Sequence, residues 1–417
     1  MDTYVVSGGN VLEGELVVQG SKNSALPIIA STILTGTTVI LYNCPNISDT
    51  INLQNILRLL GNKITYENHK LVVDSSSCDI NEIPANLMKE MRSSIILMGA
   101  ILARTGRVVV SYPGGCEIGT RPIDLHLYGL QKLGANIIEN HGYIICEASR
   151  LKGSEISLDF PSVGATENIM LAATLADGVT IIRNAAREPE IVELQNFLNL
   201  CGANIKGAGT STVKIKGVPK LHEADYTVKS DRIVAGTYLC AAAMNKGKLC
   251  LKNVVIDNIW SIIHKLQETG CECRIINNDE IYIKAPKKLK AVKMIKTLPY
   301  PGFPTDMQSQ MVTMLSIASG TSIVIENIFE NRYKYIPELT KMGAEITIEG
   351  KAAIVKGVDK LNGATVEARE LRGGASLVLA GLAADGYTKI EGTKYIERGY
   401  EDFTENLKRI GAKIDKE

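Results

Sequence analysis

The sequence predicts an α/β (α+β) fold, a two-domain inside-out α/β barrel of six similar units with buried helices and outer sheets. Three observations predict it. First, Gly36, Gly106, Gly178, Gly247, Gly320 and Gly386 each close a long apolar stretch, and Gly61, Gly134, Gly202, Gly270, Gly343 and Gly411 each close a second segment. Within either set the spacing stays between 66 and 73 residues, which marks an internal repeat. Second, the text around the second glycine agrees between units, as in Leu133-Gly134-Ala135, Met342-Gly343-Ala344 and Ile410-Gly411-Ala412. Third, the segment before each first glycine is apolar nearly all round, the pattern of a helix buried on every side.

Each unit reads in one order. Buried helices are expected over 25–34, 94–103, 169–176, 236–244, 311–318 and 375–383. The glycine just past each end is expected to take the left-handed conformation that caps a helix. A strand follows, as in 179–182 or 322–325, then a loop and an amphipathic helix, as in 190–200 or 335–341. A hairpin-like pair of short strands closes the unit, as in 345–348 and 353–355. Six such units exceed one core, so two three-unit domains are expected. The last unit stops at Glu417 without closing strands, while strands at 3–6 and 15–19 stand spare at the other end. These N-terminal strands are expected to complete the last unit. One domain is then 1–20 plus 230–417, and the other is 21–229, carrying the loop 112–122. The two crossover segments would form a hinge.

Composition limits the function. Over 417 residues the formal net charge is +1, so no global field draws nucleic acid or an acidic membrane, and any anionic ligand must be held by local charge. One Trp and five Phe leave the cores aliphatic. Nine cysteines lack framework spacing, and the N-terminus has neither a basic region nor an apolar run of signal length. Both features point to free thiols in the cytoplasm. Apolar runs such as 95–103 fall short of the ~20 residues a bilayer span needs. Phosphate-loop, dinucleotide and paired-histidine zinc motifs are all missing, so no cofactor and no metal are expected. Nothing in the chain demands a dimer, and a monomer is expected.

The chemistry collects at repeated positions. Fourteen residues before the first glycines stand Lys22, Arg92, Gly164, Ile233, Asp306 and Arg372, each at the start of an expected buried helix. A helix N-terminus offers free N–H groups and a positive dipole end, which suit anions. Lys or Arg there opposes the dipole, so Lys22, Arg92 and Arg372 read as anion ligands more readily than as surface charges snorkelling to solvent. A second set, Arg121, Arg187, Arg332 and Arg398, lies 11 to 15 residues before the second glycines. Arginine suits bidentate contact with carboxylate and phosphate. In a pseudo-threefold arrangement both sets converge on one end of each domain. Two such ends facing each other would make a cleft for a ligand with several phosphate or carboxylate groups. Asp306 is the acid where other units place a cation; it reads as an N-cap, or as an acceptor for the proton of a substrate hydroxyl. Cys116 lies in the glycine-rich loop 112–121, after an expected strand at 107–111, flanked by Glu117 and followed by Arg121. Free cysteine is usually a buried apolar residue. A thiol on such a loop is a candidate for chemistry.

The motifs GSKNSALP (20–27), MRSS (91–94), PGGCEIGTRPIDLH (113–126), SVGAT (162–166), AAREPEIV (185–192), FPTDMQ (303–308) and FENR (329–332) resemble those of the UDP-N-acetylglucosamine 1-carboxyvinyltransferase family, along the whole chain. The resemblance implies two domains closing over two substrates, phosphoenolpyruvate and UDP-N-acetylglucosamine. It implies transfer of the enolpyruvyl group to the sugar 3′-hydroxyl with release of phosphate, by addition and elimination, as the first committed step of peptidoglycan synthesis. By position, Lys22 and Asn23 would hold phosphoenolpyruvate. Arg92, the run Arg121, Pro122, Ile123, Asp124 and Leu125, the run Pro161, Ser162, Val163 and Gly164, and Asp306 and Ile328 would bind the UDP-sugar, with Arg332 in the same substrate site. Cys116 would protonate the methylene carbon, and Asp306 would assist removal of the hydroxyl proton. Arg121, Arg372 and Arg398 would clamp phosphate and carboxylate. The loop would then be a lid carrying a proton donor.

The sequence departs from the family pattern at two places. Glu370 stands where the family commonly has Asp, and Phe160-Pro161 replaces a more usual Lys-Val pair. Two other readings compete. The related shikimate-3-phosphate enolpyruvyl transferase shares the six-unit architecture but lacks this cysteine loop. A catalytically idle paralogue that binds UDP-sugars and regulates the pathway is argued against by the joint presence of Lys22, Cys116, Asp306 and Arg398.

Overall fold

The computed structural model describes residues 2–112, 118–119 and 122–417. Six helices match the six apolar segments: Lys22–Ser31, Leu97–Thr105, Val163–Thr174, Arg232–Met244, Gln308–Leu315 and Leu371–Ala383. Each is buried over nearly its whole length. Their starts are set by capping. The Ser24 N–H donates to Ser21 Oγ at 3.2 Å, and the Ala165 N–H to Ser162 Oγ at 3.3 Å. Asp231 accepts from the Ile233 and Val234 N–H groups at 2.8 and 3.1 Å, and Glu370 from those of Arg372 and Gly373. Each cap satisfies N–H groups that have no partner inside the helix. The other two rods are entered through 3-10 turns, Arg92–Ile96 and Thr305–Met307.

Counted with their 3-10 entries, all six begin earlier than the apolar pattern alone suggests. The first turn holds Lys22, Arg92, Gly164, Arg232, Asp306 or Arg372, and such residues break an apolar run without breaking the helix. Close packing explains several small residues. A Cβ on Gly99 would lie 2.2 Å from the Asn168 carbonyl oxygen, so the second and third rods meet backbone to backbone.

Each rod leads into a sheet. Five sheets have four strands, and the sixth has three, Arg107–Ser111, Tyr143–Glu147 and Asn136–Asn140. The repeat adds one strand that the sequence reading missed. A short strand before the third, fifth and sixth rods, Glu155–Ser157, Met294–Lys296 and Thr365–Glu367, pairs parallel with the strand after the same rod. In the three-stranded sheet a single parallel bridge, Glu82 to Val109, takes that place.

The contacts divide the chain into two compact lobes. The C-terminal lobe holds Ser230–Glu417 and the N-terminal segment through Gln19, and Ile118 and Gly119 group with it. The N-terminal lobe runs from Gly20 to Lys229 apart from those loop residues. Each has its own aliphatic core. Both are closed into a ring by an out-of-order strand. In the N-terminal lobe Asp225–Thr227 returns to pair with Thr38–Tyr42 of its first unit.

The expectation for the N-terminal strands is corrected. Thr3–Ser7 does enter the last unit's sheet, between Tyr387–Glu391 and Lys413–Lys416. Glu13–Val17 instead pairs parallel with Lys248–Lys252 of the fourth unit, in the place that the strand before the rod takes in the third, fifth and sixth units. The glycine expectation is also corrected: only Gly106 caps its helix, while Leu175, Asn245, Ser316 and Ala384 stand at the ends of the third to sixth rods. Gly36, Gly106, Gly178, Gly320 and Gly386 have φ between 65° and 110°, but in the fourth unit Lys246 takes the left-handed place at φ 54°. Gly247 is required there for space, since a Cβ would lie 2.1 Å from the Leu12 carbonyl oxygen.

Candidate functional site

In the C-terminal lobe the Asp306 carboxylate accepts from two guanidinium groups. Arg332 Nη2 donates to Oδ1 at 2.9 Å, and Arg372 Nη2 to Oδ2 at 3.3 Å. Both arginine side chains are buried, at 2% and 3% exposure, while Asp306 is 27% exposed. Three elements meet here: the 3-10 turn Thr305–Met307, the loop before helix Ile336–Lys341, and the first turn of Leu371–Ala383.

Charge is balanced locally. The Arg372 guanidinium stands 5.5 Å from the Tyr400 ring centroid. Burial pulls its pKa down, but Tyr400, Asp306 and Asp231 outweigh that and raise it. Arg332 is likewise raised, burial being outweighed by Glu370, Asp306 and Glu326. Both therefore stay cationic. Yet among the described residues Arg332 Nε and Arg372 Nε and Nη1 are buried without a hydrogen-bond partner. Buried donors left unmet are costly. Three of them on two fixed forks suit the oxygens of a phosphate or carboxylate. Ile328 and Arg398 are half-buried, and the Ile328 N–H donates to Glu326 Oε1 at 2.8 Å.

In the N-terminal lobe Lys22 opens the first rod. Its Nζ lies 2.7 Å from Asp49 Oδ2, with side chains 11% and 1% exposed. It is thus buried and paired, not a surface lysine reaching solvent. Asn23 and Arg92 are half-buried at the starts of the first and second rods. Pro161, Ser162, Val163 and Gly164 form the entry to the third rod, all half-buried, with Ser162 as its cap. Ile123 is buried, Leu125 half-buried, and Pro122 and Asp124 are exposed around the start of helix Asp124–Lys132. These two runs meet at His126. A Cβ on Gly164 would lie 3.1 Å from His126 Cε1, so a side chain there would press on the ring. Asn168 Nδ2 lies 3.0 Å from His126 Nδ1 and donates to the Ile95 carbonyl at 3.1 Å, while its Oδ1 accepts from the Gly99 N–H at 2.6 Å. That amide orientation makes Nδ1 an acceptor and leaves the imidazole proton on Nε2.

Cys116 and Arg121 lie outside the described residues. The eight other cysteines are free and buried or half-buried. Burial pushes the thiols of Cys146, Cys201 and Cys273 up to about 12, which leaves them inert near neutral pH. Of the loop arginines, Arg332 is buried and Arg398 half-buried, but Arg187 is exposed. The shared sequence position therefore does not give a shared environment. Among the described residues no cluster of His, Cys, Asp or Glu is arranged to hold a metal ion, and no helix is long and apolar enough to cross a membrane.

The sequence reading missed Asp49, Glu193 and Tyr400. Glu193 was visible in principle, because it interrupts the buried face of helix Pro189–Leu200 formed by Ile191, Leu194, Phe197 and Leu198. Its Oε2 accepts the Lys229 N–H at 3.1 Å. Burial pushes its carboxyl from an ordinary 4.5 up to about 7, against smaller lowering by Lys229 and the Ser24 hydroxyl. The folded state thus holds this proton more tightly than the unfolded chain does. The stability it confers is complete below the unfolded value and is lost as pH rises through the folded one, approaching ~3 kcal/mol. Glu193→Gln is expected to flatten the fall in Tm between pH 5 and 8 and to exceed the parent Tm at pH 8. Parallel melting curves across that range are the check.

Comparison with known proteins agrees with this architecture. Residues 6–407 match the family model described as EPSP synthase (3-phosphoshikimate 1-carboxyvinyltransferase). The chain is 56% identical over 414 residues to UDP-N-acetylglucosamine 1-carboxyvinyltransferase 2 of Caldanaerobacter subterraneus subsp. tengcongensis, covering 99% of each. It is 47% identical to the UDP-N-acetylglucosamine 1-carboxyvinyltransferase of Thermotoga maritima, over 100% of this chain and 99% of that one. The crystal structure of the enolpyruvyl transferase NikO from Streptomyces tendae superposes with a TM-score of 0.91 at 26% identity, covering 100% and 98%. EPSP synthase from Acinetobacter baumannii shares the fold, with a TM-score of 0.77 at 20% identity over 100% and 99%. The chain belongs to the enolpyruvyl transferase family, and within it groups with the UDP-N-acetylglucosamine 1-carboxyvinyltransferases.

Proposed function

We propose that this protein transfers the enolpyruvyl group of phosphoenolpyruvate to the 3′-hydroxyl of UDP-N-acetylglucosamine and releases phosphate. The observation that carries the chemistry is the pair of buried arginines on Asp306, with three guanidinium nitrogens that have no partner among the described residues. The choice of acceptor rests on full-length identity of 47% and 56% to relatives named for UDP-N-acetylglucosamine. The likeness to EPSP synthase, at 20% identity, supports the fold alone.

The reaction divides into addition and elimination. The sugar oxygen bonds to C2 of phosphoenolpyruvate as its proton leaves, assisted by Asp306, and the π electrons take a proton onto C3 from the Cys116 thiol. Asp306 held by two cations is a weak base. An anion that engages Arg372 through its open nitrogens loosens that hold at the moment the base is needed. Loss of a C3 proton then expels phosphate from the tetrahedral adduct. Lys22 and Asn23 would bind phosphoenolpyruvate, and Arg121, Arg372 and Arg398 would stabilise the adduct's charge. Arg92, Pro122 to Leu125, Pro161 to Gly164, Ile328 and Arg332 would seat the UDP-sugar.

The two lobes would serve as the two closing domains, joined by crossovers near Gly20 and Lys229. The product would enter peptidoglycan synthesis, and with it cell-shape maintenance and division, in the cytoplasm, by a monomer without cofactor. Purified protein is expected to release phosphate from phosphoenolpyruvate only when UDP-N-acetylglucosamine is present, and not with shikimate 3-phosphate. Release with the shikimate ester, or binding of the UDP-sugar without any release, would overturn this reading.

A further inference from the structure

Glu326 is 3% exposed in the C-terminal lobe, at the end of strand Thr321–Ile325. A carboxylate in that position is costly unless fully hydrogen-bonded. It is: Oε1 accepts from the Thr297 hydroxyl at 2.8 Å, the Ile328 N–H at 2.8 Å and the Phe329 N–H at 3.2 Å, and Oε2 accepts from the Thr305 hydroxyl at 2.9 Å. The four donors come from three segments. Thr297 belongs to a neighbouring segment, and its hydroxyl in turn accepts the Asn327 N–H at 2.9 Å. Thr305 begins the 3-10 turn that carries Asp306. Ile328 and Phe329 lie in the loop leading to Arg332, whose guanidinium stands 5.7 Å from the Phe329 ring centroid. One buried carboxylate therefore joins the turn that presents the candidate base, the loop that presents Ile328, and the approach to Arg332. It also adds to the negative surroundings that keep Arg332 cationic.

We infer that Glu326 is a positioning residue for the enolpyruvyl transfer, fixing Asp306 relative to Ile328 without itself touching substrate. This deepens the acceptor assignment made above and rests on it. A 1 Å misplacement of a reacting group costs up to about a hundredfold in rate, so the strap from Thr305 to Glu326 has kinetic weight although it lies behind the site.

Three variants separate the parts. Glu326→Gln keeps an acceptor for Thr297, Ile328 and Phe329, and its amide N–H₂ donates to the Thr305 oxygen once that hydroxyl turns. Thr305→Val removes only the strap to the Asp306 turn, and Glu326→Ala removes the whole junction. Thr305→Val is expected to melt a few degrees below the parent, because it takes a donor from the buried Glu326 Oε2, and to lose roughly tenfold in kcat, with KM for UDP-N-acetylglucosamine within about twofold. Glu326→Ala is expected to lose roughly a hundredfold in kcat and to raise that KM, and Glu326→Gln to recover most of both. In an Asp306→Asn background, Thr305→Val is expected to cost less than about twofold further, since it acts through the base already removed. Full additivity there, or an unchanged kcat in Thr305→Val, would overturn the inference. Amide hydrogen exchange at Ile328 and Phe329 in the ligand-free protein reads the junction without turnover. Protection is expected to persist in Glu326→Gln and to fall at least about tenfold in Glu326→Ala, and unchanged protection in Glu326→Ala would also overturn it. Absence of phosphate release by the unsubstituted protein would overturn the acceptor assignment instead, leaving the exchange result to decide the junction.

Discussion

Lys22→Ala is expected to lower turnover by roughly a hundred- to a thousandfold, because a fixed cation aimed at a reacting anion contributes most to the transition state. The sequence alone suggests that this variant folds normally. The structure changes that expectation. Lys22 is buried against Asp49, whose side chain is 1% exposed, so removing the ammonium takes the paired cation from a buried carboxylate. Breaking such a pair from one side costs about 3 to 5 kcal/mol. The melting temperature is therefore expected to fall together with the rate. Lys22→Ala combined with Asp49→Ala separates the two effects: the double variant is expected to regain most of the lost Tm and none of the lost turnover. Recovery of turnover would show that Lys22 matters only as a partner for Asp49. Arg398 is half-buried, less enclosed than Lys22, and Arg398→Ala is expected to lose turnover with a smaller fall in Tm than Lys22→Ala.

Cys116→Ser is expected to lose most turnover near neutral pH, by roughly 10²- to 10⁴-fold, the range that a positioned general acid contributes. A serine hydroxyl is somewhat smaller than the thiol and a far weaker acid. The same variant is expected to resist thiol-directed phosphonate epoxides. The other thiols do not obscure this result, because the eight described cysteines are buried or half-buried and burial holds Cys146, Cys201 and Cys273 at about 12. Full activity and unchanged inhibition in Cys116→Ser would remove the thiol from the mechanism.

Much of the fold was legible because it is repeated. Six copies of one pattern average out local ambiguity, and the glycines mark positions where backbone geometry leaves little choice. The six second-set glycines all have φ between 92° and 101°. What stayed hidden depends on long-range pairing. The short strands before the rods, such as Glu155–Ser157, are three residues long and carry no period to read. Glu13–Val17 exposes four of its five residues, and its partner is more than two hundred positions away. Local pattern cannot choose between two open sheet edges.

The candidate site divides in the same way. Lys22, Asp306 and Arg372 were found because they sit where a rod starts, and that position is fixed by sequence spacing. Their partners were not. Asp49 reaches Lys22 from another helix, and Tyr400 lies beside Arg372 from a loop after the last rod. Such contacts follow from packing, not from spacing along the chain. Arg187 shows the converse: its spacing matches Arg332, yet it is exposed where Arg332 is buried. The surrounding elements bury Arg332 and Arg372 and leave three of their nitrogens without a partner among the described residues, which suits them to the proposed anion binding.

The most direct measurement is the mass and proton spectrum of the nucleotide sugar after incubation with phosphoenolpyruvate and purified protein. The account predicts that UDP-N-acetylglucosamine gains one enolpyruvyl ether, with new vinyl protons and linkage at the 3′ oxygen, in step with phosphate released. An unchanged UDP-N-acetylglucosamine under conditions where the protein binds it, or enolpyruvyl found on another acceptor, would contradict the account.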